Sequence, residues 1–335
     1  MPVKIGIPQS LAYFTYFPLW HTFFHELGLD VVTSNQSNKE ILDEGVKETV
    51  NDACIPIKIY HGHVKDLKDR VDLLFLPRIV SLDGKETVCP KFLGLPDMVR
   101  YSIDGLPTIL DDRLDLKKKF GYWRFFYRTA KKLDKNFGEI WKAYRRAWSI
   151  FHVYNQLLLQ EYQPREAWRL IQDENFKTQK DLAQHPGFTQ ASKKKPDHNI
   201  TVALLGYPYT IHDPYISVGL LDRVKNYNVH VLTKDNIPGN ELLRQRKKMV
   251  KETFWYYSNQ VIRAALYYLE KPRVDGLIHI TAFGCGPDAM VDKYVELECK
   301  NAGIPFLTLT LDEHTGEAGV STRIEAFVDM LKRKR

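Results

Sequence analysis

Residues 3–33 read VKIGIPQSLAYFTYFPLWHTFFHELGLDVVT, and this stretch decides the fold. Val3, Ile5 and Ile7 make a short apolar run that breaks at Pro8, the composition and length of a buried strand. Leu19, Phe23, Phe24 and Leu27 recur at helical spacing over 17–27, and Gly28 follows as a stop signal. Asp30-Val31-Val32-Thr33 then starts a second strand. Strand, helix and strand in close succession predict a right-handed β-α-β crossover with parallel strands.

Working outward, helical patterns follow at 38–50 and at 56–68, where Ile57, Tyr60, Val64 and Leu67 share a face, and 71–76 reads as a third strand. The same grammar returns near the end. Residues 200–205, 229–232, 274–280 and 305–311 read as strands, with helices over 249–270 and 287–301. The expected class is α/β, with two Rossmann-like lobes of parallel sheet over 1–111 and 198–335. Between them, 112–197 reads as a helical insert, basic and aromatic. It carries Lys117-Lys118-Lys119, Tyr122, Trp123, Phe125, Phe126 and Tyr127, and places Ile140, Trp141, Tyr144, Trp148, Phe151 and Leu158 along one helical side. Basic residues interleaved with rings can hold a nucleic-acid strand. The helical period of the rings favours packing instead, so nucleic acid is not the expected partner. Residues 184–198 read as a loop.

The chain has 335 residues, 44% hydrophobic and 27% charged, which suits a well-packed core and argues against wholesale disorder. No apolar run approaches the roughly 18–20 residues of a membrane span. The start, MPVKIGIPQS, lacks the apolar stretch of a secretory signal. A cytoplasmic, reducing location is expected, with four cysteines free or on metal rather than in disulfides. Lys and Arg outnumber Asp and Glu by 48 to 41, a mild basic balance.

Three of the cysteines share a local pattern: Cys54 before Ile55-Pro56, Cys89 before Pro90, Cys285 before Gly286-Pro287. Pro56 and Pro287 suit a first helical turn. Cys54 and Cys285 are therefore expected at helix N-termini, where the dipole and free amides stabilise thiolate. Cys89 and Cys285 also follow strands, and ligands collect at the carboxyl ends of parallel sheets, so cysteines of both lobes can meet in a cleft. Cys299 falls in step with Val291 and Val295 and reads as a buried hydrophobe. Spacing alone leaves three readings of the others. They are unrelated buried cysteines, a zinc site without the usual close pair, or an iron–sulfur cluster on widely separated thiolates.

At these residues the chain resembles the activase-related proteins of the 2-hydroxyacyl-CoA dehydratase and benzoyl-CoA reductase superfamily. The resemblance lies in GIPQSLAYFTYFPLWHTFF (6–24), NDACIPIKIYHGHVKDL (51–67), FLPRIVS (75–81), VCPKFLGLPDM (88–98), ITAFGCGPDAMV (280–291) and LTLDEHTGEAGVSTRIEAFVDML (309–331). It spans both lobes but not the insert. It implies a [4Fe–4S] cluster held by Cys54, Cys89 and Cys285 in the cleft between the lobes. It also implies single low-potential electrons supplied by an ATP-hydrolysing activase and used to reduce or dehydrate a small substrate, such as a CoA ester. The chain has no phosphate-binding glycine motif, so the activase is expected as a separate chain. A homodimer is expected as in the superfamily. Gln9 stands where that pattern is expected to carry a basic residue.

Beside the cysteines, Gly284 and Gly286 flank Cys285, and Lys91 brings a positive charge close to Cys89. His314, Glu313 and Glu317 follow the last strand and are candidate acid–base groups. The alternative is a polar network of Glu313, Glu317 and Arg323 that shapes their loop. His61 and His63 alternate on their helix, so at most one faces the cleft, and Tyr207, Pro208 and Tyr209 are expected to line the pocket. The rival to the redox reading is a bilobed binding module with zinc on the same cysteines.

Overall fold

A computed structural model describes residues 2–173, 200–270 and 274–334. The loop expected at 184–198 lies outside them. By its contacts the chain divides into two compact units. One comprises Met1–Ala53, Ile57–Leu158 and Tyr162–Ala191; the other comprises Cys54–Pro56, Leu159–Glu161 and Ser192–Arg335.

The first unit opens with β1 (Lys4–Ile7), α1 (Tyr13–Glu26) and β2 (Asp30–Thr33). β1 and β2 pair in parallel, Lys4 opposite Asp30 and Ile7 opposite Thr33, as residues 3–33 predict. Helices α2 (Lys39–Lys47) and α3 (Ile55–Leu67) lead to β3 (Leu73–Phe75) and β4 (Arg78–Ser81). Then come α4 (Pro90–Leu93), α5 (Leu95–Ser102), β5 (Thr108–Leu110) and β6 (Arg113–Asp115). The main sheet has the order β2-β1-β3-β5, and β4 pairs with β6 in a small parallel sheet of its own. Strands β4, β5 and β6 have only three or four residues each, too few for alternation to show in the sequence.

Helix α1 begins four residues earlier than the expected 17, and Pro18 sits inside it. Proline has no N–H for the carbonyl four residues back. That carbonyl, on Phe14, instead receives the hydroxyl of Tyr154 at 3.4 Å. The helix therefore passes through a residue that reads as a helix start.

Helices α6 (Gly121–Lys131), α7 (Phe137–Leu159) and α8 (Pro164–Asp173) follow. Their rings pack on one another and on α1. Trp123 meets Tyr144 at 5.2 Å, Tyr122 meets Trp148 at 4.9 Å, and Phe126 meets Phe23 at 4.4 Å. The aromatic stretch is thus packing surface, with Trp141 left 46% exposed at its margin.

The second unit holds β7 (Ile200–Leu205), α9 (Pro208–Ile211), α10 (Leu220–Asn226), β8 (Val229–Leu232), α11 (Gly239–Arg244) and α12 (Tyr256–Glu270). It closes with β9 (Gly276–Ala282), α13 (Gly286–Ala302), β10 (Phe306–Leu311) and α14 (Glu317–Lys334). Its sheet runs β10-β9-β7-β8, all parallel. Leu204, Ile278, Ile280, Leu309, Ile324 and Val328 form the centre of its core. Helix α12 starts later than the expected 249 because the Asn259 side chain accepts from the Thr253 amide and hydroxyl, donates to the Thr253 carbonyl and holds the approach in a turn. Both lobes are α/β with parallel sheets, as the sequence predicts. Among the described residues no helix is long and apolar enough to cross a membrane.

Candidate functional site

Each of the three patterned cysteines opens a helix. Cys54 directly precedes α3, Cys89 is the N-cap of α4, and Cys285 is the N-cap of α13. All three are half-buried, whereas Cys299 is fully buried on α13 beside Val291 and Val295. Burial pushes the Cys299 thiol up to about 12, which suits an inert core residue. The structure adds Cys89 to the helix-terminal set. Its Sγ accepts from the Phe92 amide at 3.4 Å. Burial pushes this thiol up, and the amides of Phe92 and Lys91 with the Lys91 charge work against that rise.

Lys91 has a second role that the sequence does not show. Its Nζ donates to the Asp52 carbonyl at 2.6 Å, tying α4 to the turn just before Cys54. Around Cys285, Gly284 adopts a left-handed φ of +74°, which a side chain rarely tolerates. A Cβ added at Gly286 would meet nothing within 4 Å. That residue therefore leaves open space beside the amides at the start of α13. Cys285 does not cap α13 through its sulfur. Half-buried thiols at helix starts, one beside a lysine and one beside an open glycine, suit a bulky anionic group with soft ligands. Among the described residues, however, no three His, Cys, Asp or Glu side chains stand together as a metal site.

The 312–317 loop is organised by Asp312, whose Oδ1 accepts from the His314 amide and the Thr315 hydroxyl. His314 is exposed and Glu313 half-buried. Glu317, exposed at the start of α14, pairs with Arg223 at 2.6 Å. Arg323, expected in that network, instead donates to the Thr308 carbonyl. His61 and His63 are both buried. His61 bonds the Ile57 carbonyl, and His63 lies between Ser34 and Ser37. Burial pushes both down, His63 to about 4, so both are neutral packing groups. Tyr207 and Tyr209 are buried against Tyr257, with the Tyr207 hydroxyl 2.9 Å from Ser258 Oγ.

Sequence reasoning missed one buried constellation. His279, on β9, lies between two carboxylates of α13: Nε2 is 3.4 Å from Asp288 Oδ1, and Nδ1 is 3.0 Å from Asp292 Oδ1. Asp292 also accepts from Thr308 at 2.6 Å. His279 and Asp288 are completely buried. The signal was present in GCGPD, where Asp288 falls on the first turn of the helix that Cys285 opens.

The burial contrast makes a chemical prediction. In metal-free protein a small maleimide should label Cys54, Cys89 and Cys285 but leave Cys299 untouched until the protein is unfolded. Peptide mapping by mass spectrometry reads the outcome; native labelling of Cys299 would contradict its place in the core.

Comparison with known families gives two matches. The family described as CoA enzyme activase uncharacterised domain (DUF2229) matches residues 4–237, a span that holds Cys54 and Cys89. The family of the 2-hydroxyglutaryl-CoA dehydratase D-component matches residues 176–331, which hold Cys285 and the 312–317 loop. No curated protein matches the chain.

Proposed function

The chain belongs to the CoA enzyme activase DUF2229 family, and from that premise we propose that it is a [4Fe–4S] protein of a 2-hydroxyacyl-CoA dehydratase-like system. Cys54, Cys89 and Cys285 are its ligands. The observation that carries this reading is that the patterned cysteines are the three half-buried ones at helix starts, while the fourth is packed away. When bound, the cluster supplies a site that accepts one low-potential electron. The chain's own residues hold it: helix-terminal amides donate towards sulfur, and Lys91 offsets negative charge. Electrons come from a separate ATP-hydrolysing activase, and the protein works as a cytoplasmic homodimer on a small substrate such as a CoA ester. His314, with Glu313 and Glu317, handles protons at the sheet edge. The match to the dehydratase D-component supports this reading.

Anaerobic reconstitution with ferrous iron and sulfide tests the proposal. The expected product is brown and carries about four iron and four sulfide per chain. Cys89→Ala and Cys285→Ala should lose the chromophore, and Cys299→Ala should keep it. A colourless protein with one zinc and no sulfide would support the bilobed zinc module, and equal loss from Cys299→Ala would overturn the ligand set.

A further inference from the structure

The first unit contains a pocket of about 220 Å³ that the cluster reading leaves unused. It lies at the carboxyl edge of the parallel sheet, where Gln9 follows β1 and Gln36 follows β2. Ligands of open α/β sheets collect at this edge. Tyr13 and Phe17 of α1 and Trp168 of α8 form an aromatic wall, with Tyr13 and Phe17 4.4 Å apart and Phe17 and Trp168 5.6 Å apart. Arg165, also from α8, stands exposed beside them.

The polar groups are few and convergent. The Arg165 guanidinium donates only a long bond, 3.4 Å, to Gln36 Oε1. Among the described residues it has no carboxylate partner. Tyr13 is half-buried and makes no hydrogen bond through its hydroxyl to any described residue. Gln9 spends one amide hydrogen on Thr33 Oγ1. The loop after β1 lacks a basic residue of its own, and Arg165 supplies the charge from α8. The capping bond from the Gln163 amide to Glu166, at 2.9 Å, and the burial of Ala167 and Ile171 fix that helix in place.

A cation with no carboxylate partner among the described residues, beside flat rings and a hydroxyl that bonds none of them, is complementary to a planar anion. The volume falls below the roughly 300–1,000 Å³ of sites for drug-sized ligands. A single ring fits; a nucleotide or a CoA does not. We propose that this pocket binds a small aromatic monocarboxylate, its carboxylate on Arg165 and its ring against Tyr13, Phe17 and Trp168.

Benzoate is the probe, titrated into the iron-free full-length chain by calorimetry, with benzamide as the neutral match and cyclohexanecarboxylate as the non-planar acid. Saturable benzoate binding is expected, with cyclohexanecarboxylate weaker. Arg165→Gln, a change at an exposed helix position, should weaken benzoate at least about tenfold and leave benzamide unchanged. Tyr13→Phe should weaken benzoate several-fold and serves as an independent variant. The inference is overturned if benzoate shows no saturation below about 20 mM. It is equally overturned if both variants bind benzoate as the natural chain does. Because iron is left out, either outcome leaves the cluster assignment standing.

Discussion

Gly62→Ala is expected to destabilise the first unit by about 3 kcal/mol or more, near the top of the range for overpacking. Intrinsic propensity points the other way, since alanine in place of glycine inside a helix gains about 1 kcal/mol. Contact geometry decides between the two. Helices α2 and α3 cross with their backbones touching. A Cβ at Gly62 would sit 1.8 Å from the Ile41 carbonyl oxygen, and one at Gly45 would sit 1.8 Å from that of Lys58. Neither obstacle is a flexible side-chain tip that can swing aside, so the helices must move apart. Parting them opens voids around Ile41, Leu42, Ile59 and Val64, all buried. The movement also shifts α3, whose first residue follows Cys54, against the Lys91–Asp52 bond that ties the neighbouring turn. Gly319→Ala is the internal control. It lies inside α14 with nothing within 4 Å of the added Cβ, so the same change should there be neutral or stabilising. Urea denaturation followed by circular dichroism reads both variants. A Gly62→Ala protein as stable as the natural chain would refute the close crossing.

The two glycines also show where sequence reading stops. Residues 3–33 revealed their strand, helix and strand because the apolar period changes there from strand-like to helical and back. Buried strands such as 200–205, with bounds matching Ile200–Leu205, are equally plain. A glycine at a helix crossing leaves no such period: Gly45 and Gly62 matter because of each other, across a turn and a strand-free stretch. The first turn of α1 escaped the reading for a related reason. The hydroxyl that satisfies the orphaned Phe14 carbonyl comes from Tyr154, far away in the chain. At the site, local grammar placed Cys54 and Cys285 at helix starts and Cys299 in the core. What it did not reveal were contacts between elements: Lys91 on Asp52, Arg223 on Glu317, Arg165 beside Gln36. Charged side chains carry no periodicity that names their partners.

His279→Leu should cost the second unit about 3–5 kcal/mol, the range for stripping one member from a buried ionic group. Burial alone would push the imidazole down. The carboxylates of Asp288 and Asp292 outweigh burial and lift His279 to about 9. It is therefore an imidazolium at neutral pH, bridging β9 to the first two turns of α13. Asp292 shows the converse: burial pushes it up, but bonds from His279 and Thr308 and the imidazolium charge hold it below the ordinary 3.8. The signs follow from linkage. The stabilisation from His279 is complete below its ordinary 6.5 and fades as pH rises through about 9. That from Asp292 is complete above its ordinary value and fades as pH falls through its lower folded one. The natural chain should thus lose stability on both the alkaline and the acid side. In His279→Leu the alkaline loss disappears. Asp288 is left fully buried without its imidazolium partner, which is the source of the expected loss. Adding Asp288→Leu should recover part of the loss, because Asp288 is the fully buried carboxylate that His279→Leu leaves without its cation. Urea midpoints across pH 5–10 measure these slopes, and parallel pH profiles for the natural chain and His279→Leu would show that no charged bridge exists. The bridge matters to the site because Asp288 lies one helical turn beyond Cys285. The group that anchors α13 against β9 also fixes where that cysteine stands, so a variant that frees the helix start should, on the proposed function, take up less iron and sulfide in anaerobic reconstitution as well as lose stability.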